Sequence, residues 1–81
     1  MKLYLLAQDD NNEYDTYDSC IVCAENEEDA KTITPDGVFF SEPADRYTSW
    51  AKSKDNISCV EIGEANDKQV RGVILASFNA G

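Results

Sequence analysis

Apolar positions along this chain gather into four short runs, each with its own spacing. Residues 2–7 (KLYLLA) are nearly continuous in apolar side chains, the pattern of a central strand covered on both faces. Residues 17–24 (YDSCIVCA) alternate, which puts Cys20, Val22 and Ala24 on one side and Ser19, Ile21 and Cys23 on the other. Residues 57–62 (ISCVEI) alternate again and predict a third strand. Residues 70–78 (VRGVILASF) predict the last strand, most apolar from Val73 onward, with Gly72 as a candidate bulge. Residues 63–69 (GEANDKQ) read as a turn long enough for a hairpin.

One helix start stands out. Asn26 is a good N-cap, Asp29 takes the capping-box place, and Glu27 and Glu28 fill a first turn where carboxylates complement the macrodipole. Ala30 and Ile33 supply a buried stripe, Glu27 can pair with Lys31, and Thr34-Pro35 ends the helix after about two turns. Beyond the turn at 35–37, Val38-Phe39-Phe40 is too apolar to be left exposed. Residues 41–55 stay ambiguous. Tyr47, Trp50 and Ala51 fit either a short helix begun by Pro43 or an irregular lid over the sheet. Trp50 reads as a core plug or as a binding-surface aromatic.

These elements sum to an α+β fold in one compact domain over residues 1–81. The expected architecture is a small antiparallel sheet of three or four strands with one short helix on one face. The first and last strands are expected to be neighbours in its middle. A chain of 81 residues buries about 60–65% of its unfolded surface, so stability of about 5 kcal/mol is expected.

Charge changes the picture more than composition does. The net charge is −9, and it is one-sided. Residues 1–30 hold nine acids against Lys2 alone, and all nine lie within residues 9–29 without one Lys or Arg. Such a field repels nucleic acid and anionic membrane and draws in basic protein surfaces. Its other reading is solubility alone. No run of about 18 apolar residues is present for a membrane span. The apolar start is too short for a signal-peptide core, so a cytoplasmic location is expected.

Candidate chemistry is sparse. The chain has three cysteines and no histidine, one ligand short of a structural zinc set. Cys20 and Cys23 keep C-x-x-C spacing, but a strand points them to opposite faces, so neither metal nor redox work is expected. Asp9, Asn11 and Glu13 echo a calcium loop, yet Tyr14 stands where its glycine belongs and Cys20 where its bidentate Glu belongs. With no imidazole, phosphate loop or nucleophile elbow, neither catalysis nor a cofactor is expected.

The opening MKLYLL, the block YDTYDSCIVCAENEEDAK and the closing RGVILASFNAG resemble a set of short phage, prophage and gene-transfer-agent proteins, some counted among anti-CRISPR inhibitors. The likeness covers both ends and the first third of the chain and does not reach residues 37–55. It implies an inhibitor of a bacterial CRISPR–Cas effector, a multi-subunit type I complex first of all, that occupies a basic nucleic-acid channel. The physical reading is compatible. DNA carries a charge about every 3.4 Å per strand, close to the rise of a β-strand. The residues expected to bind are Asp9, Asp10, Glu13, Asp15 and Asp18 on the loop side, with Glu25, Glu27, Glu28 and Asp29 on the helix side. Tyr14 and Tyr17 either anchor the contact or lie under the loop. The partner is then a basic protein surface on a CRISPR–Cas effector subunit, with no direct nucleic acid and no membrane, and the chain acts as a monomer. The alternative is an acidic structural or housekeeping module of phage origin without a nucleic-acid-mimic role.

Overall fold

The computed structural model describes residues 1–11, 15–37 and 49–79. Four strands, β1 (Lys2–Gln8), β2 (Thr16–Ala24), β3 (Ile57–Glu64) and β4 (Gly72–Asn79), form one sheet in the order β3-β1-β2-β4. Every neighbouring pair is antiparallel. A single helical turn, α1 (Glu27–Ala30), and a 3₁₀ turn (Lys54–Asn56) are the helical pieces among the described residues. The α+β fold with an antiparallel sheet and one short helix is as the sequence predicts.

Strand order differs from the expectation. β1 lies in the middle, but its central partner is β2, while β4 sits at the edge beyond β2. The seven-residue connection 9–15 brings β2 back beside β1, and β3 and β4 then add to the outer sides of that hairpin. The main core cluster lies on one face, while Cys23 is buried in the opposite register. Tyr4 and Leu6 of β1, Cys20, Val22 and Ala24 of β2, and Ile57 of β3 are buried under Ala30, Ile33, Trp50 and Ala51. Leu5, which points to the other face of β1, is 37% exposed. Among the described residues, the expectation that 2–7 is covered on both sides is met at Tyr4 and Leu6 but not at Leu5.

Trp50 is a core plug, 1% exposed, carried by an irregular segment. The possible helix from Pro43, the Val38-Phe39-Phe40 run and Tyr47 lie outside the described residues. α1 is one turn rather than two. Thr32 N donates to Asp29 O and Ile33 N to Ala30 O, each 3.1 Å, so the chain tightens into 3₁₀-type turns as soon as β-branched residues arrive. Gly72 has φ +140° and opens β4, but the extra residue of that strand is Ile74, between the paired Val73 and Leu75.

A buried polar knot fixes the β1–β2 connection. Gln8, at the end of β1, donates from Nε2 to Asn11 O (3.0 Å) and Tyr17 O (2.8 Å), and its Oε1 accepts from Asn11 N (3.0 Å). Asn11 Nδ2 donates to Trp50 O at 2.9 Å, and Tyr17 N to Ser49 O at 2.7 Å. The loop is thus tied both to the strands it joins and to the segment carrying Trp50. Gln8→Ala leaves three backbone groups without this partner and is expected to lower stability by about 2–3 kcal/mol in urea unfolding. Gln8→Leu keeps the volume but not the bonds, so it should recover less than half of that loss.

Candidate protein-interaction surface

The acids of residues 9–29 fall into two groups. β2 runs from Thr16 to Ala24, so its ends stand about 27 Å apart at about 3.4 Å per residue. Asp9, Asp10, Asp15 and Asp18 cluster at the end where β1 closes and β2 opens, while Glu25, Glu27, Glu28 and Asp29 follow the far end of β2. Glu13 and Tyr14 lie outside the described residues. α1 contacts β1, β2 and β3. Glu28 thereby comes to a shallow cleft shared with Lys31, Thr32, Lys54 and Asp55. Two lysines thus share this cleft with Glu28 and Asp55, so the acidity there is mixed with positive charge.

Several carboxylates have work inside the fold. Asp10 accepts from Lys52 N (3.2 Å) and from Asn56 Nδ2 (2.8 Å), which pins the Trp50 segment and the 3₁₀ turn to the β1–β2 connection. Glu27 pairs with Lys31 at 3.8 Å, an i, i+4 contact at the surface. Asp29 does the most. Its backbone N–H donates to the Asn26 cap oxygen at 2.8 Å, while its carboxylate accepts from Glu25 N at 3.0 Å. That is a capping box shifted by one residue, since its carboxylate takes Glu25 N rather than the cap residue's own. The same carboxylate takes Arg71 Nη2 at 2.7 Å and Nε at 3.0 Å, joining α1 to the start of β4. Arg71 also donates to Thr32 Oγ1 at 3.0 Å.

On the loop side, Asp9, Asp15 and Asp18 are exposed. Asp15 adopts φ +62°, a left-handed conformation that Asp tolerates, and turns the chain into β2. Asp18 occupies the extra position of β2, between Tyr17 paired with Phe78 and Ser19 paired with Ser77. Tyr17 packs against the core with its ring centroid 4.8 Å from that of Phe78, so its ring underlies the sheet end. Glu25 and Glu28 are exposed on the helix side.

The thiols are separate, as their spacing predicts. Cys20 lies in the core, where burial pushes its pKa up to about 12. Cys23 is buried through the opposite register, its Sγ 3.8 Å from Met1 Sδ. All three cysteines are free. Among the described residues, no helix is long and apolar enough to cross a membrane.

Sequence reasoning missed the partners of Asp10 and Asp29. Arg71 stands 42 residues from Asp29, and no local pattern links them. It also missed a second surface. On the uncovered side of the sheet, Val60, Leu5, Ile21 and Leu75 stand in one register across all four strands. The signal was present in the alternation of β1, β2 and β3, each of which has apolar residues on both faces. No protein-family model, curated protein or solved structure matches this chain.

The Arg71 bonds and Glu25 N hold the Asp29 carboxyl below the usual carboxylate range. A depressed folded pKa contributes stability that is present above the unfolded value of about 3.9 and is lost as pH falls through the folded one. Asp29→Asn should therefore cost about 1 kcal/mol at neutral pH, a magnitude set by a partly exposed pair plus a cap bond. Urea unfolding at a series of pH values should show the variant and the parent converging in acid.

Proposed function

We propose that this chain is a non-catalytic inhibitor of phage or prophage type that binds a basic protein surface through its loop-side acids. Its target class is a nucleic-acid machine of the host, a type I CRISPR–Cas effector in the first instance, met in the bacterial cytoplasm. The observation that carries this reading is the anchored presentation of Asp15 and Asp18. Both are exposed, and both flank a connection that Gln8, Asn11 and Tyr17 tie to the core by buried bonds. Acids held by a rigid base lose little freedom on binding, which is how a small surface gains affinity. Asp9 belongs to the same end of the sheet and completes a compact acidic point.

The binding region is narrower than residues 9–29. Asp10 and Asp29 serve internal contacts, Glu27 pairs with Lys31 at the surface, and Lys31 and Lys54 share the cleft beside Glu28. A continuous DNA-like array is therefore replaced by a local plug at one end of the sheet. Glu25 and Glu28 form a second, lesser acidic point.

An inhibition assay with a purified effector tests this. Asp15→Lys with Asp18→Lys should weaken inhibition by about 100-fold or more, because each reversal turns an attraction into a repulsion. Glu27→Lys with Glu28→Lys should cost under about tenfold. Full activity of the Asp15/Asp18 variant, or binding indifferent to salt, would sink the proposal. A housekeeping module with acidity for solubility alone would show no salt-sensitive partner in host lysate.

A further inference from the structure

We infer that the uncovered face of the sheet is a self-association surface, taken by a second copy of this chain in a face-to-face dimer. The face is apolar across its full width. Val60, Leu5, Ile21 and Leu75 form one transverse row through the four strands. Val60 is 54% exposed, Leu5 37% and Leu75 64%, with Ile21 half-buried between them. A shallow depression lined by Leu5, Ile21 and Leu75 lies along this row. The next row, Ser58, Ala7, Ser19 and Ser77, is small and lets an opposing sheet approach closely.

Charge selects the occupant. The chain carries −9, so two copies repel wherever their acids meet. Yet the paired positions of this face hold no Asp, Glu, Lys or Arg, and only Asp18, unpaired at its margin, adds a charge. A basic partner gains nothing here. An identical neutral face meets no repulsion and has matched apolar rows. Association along the strand edges is disfavoured, because Ile62 and Ile74 each add an extra residue to the outer strands.

Area fits a weak dimer. Four strands about 4.8 Å apart and about 24 Å long give roughly 450 Å² per copy. The total of roughly 900 Å² is near the floor of about 1,000 Å² for specific interfaces. The contact is isologous, with Leu5 and Ile21 on the two central strands nearest the two-fold axis. This departs from the monomer expected from sequence. Apart from Asp18 at its margin, this face is distinct from the acidic point, and its test reads self-association rather than inhibition, so the two proposals stand or fall separately.

Sedimentation equilibrium from micromolar to millimolar protein, at low and at molar salt, tests it. The expected result is a monomer–dimer equilibrium that tightens with salt, opposite to the salt response of binding to a basic partner. Val60→Lys with Leu75→Lys, both at exposed positions of edge strands, should weaken the dimer by more than about tenfold. On the unaltered chain, the methyl groups of Leu5, Val60 and Leu75 should lose contact with a soluble paramagnetic probe as concentration rises. A monomer at millimolar protein and molar salt overturns the proposal. So does a dimer in which those methyl groups stay as accessible as in dilute solution.

Discussion

A four-stranded sheet has two broad surfaces, and this fold depends on the covering of one of them by Trp50 and its neighbours. Burying an indole removes about 150–250 Å² from water, or about 5 kcal/mol at about 25 cal/mol per Å². That equals the low end of a domain's whole stability. The helix contributes little cover of its own, since α1 is four residues and its buried side chain is Ala30. Cover comes instead from irregular chain, Ile33 on one side and Trp50 with Ala51 on the other, laid over Leu6 and Val22. Irregular backbone holds position only where its polar groups are satisfied. This is why Asn11, Asp10 and Tyr17 reach across to the Trp50 segment.

The acids therefore serve two purposes that are entangled in the sequence. Asp10 and Asp29 are latches: one holds the cover at the loop end, the other holds α1 to β4 at the far end. Each sits beside exposed acids that make no such tie in the fold, Asp15 and Asp18 at one end and Glu25 and Glu28 at the other. A charge that satisfies a cap or a backbone amide is already spent electrostatically on its partner. What it projects outward is smaller than its formal −1, so formal charge overstates the acidic surface of this chain.

Strands and the helix start were legible because their causes are local. Alternation, continuous apolar runs and an Asn cap with Asp three residues later act within one element. Strand order was not, because pairing β4 with β2 instead of β1 depends on loop paths over residues that carry no pairing code. The apolar run of β1 was read as cover on both faces, since a run of that kind looks the same whether the second cover comes from the same chain or is absent. Tyr17 was left between anchor and packing, and its place across from Phe78 depends on the extra residue at Asp18. The candidate surface was legible as acidity but not as geometry. Gln8 drew no notice in the sequence, yet its amide is what fixes the connection on which Asp15 stands.

An exposed apolar sheet face in a strongly acidic chain is a consistent combination. Apolar rows invite indiscriminate association, and negative charge gathered at the ends of the strands disfavours approaches that bring the acids together. Acids at the two ends of the strands fit that condition for face-to-face stacking, because they lie beyond the strand centres that would form the contact. Bulged outer strands close off the alternative of edge-to-edge extension. The charge proposed to draw a basic partner to the loop end would thus also narrow how copies of the chain meet, and the neutrality of the sheet face is as informative as the acidity around it.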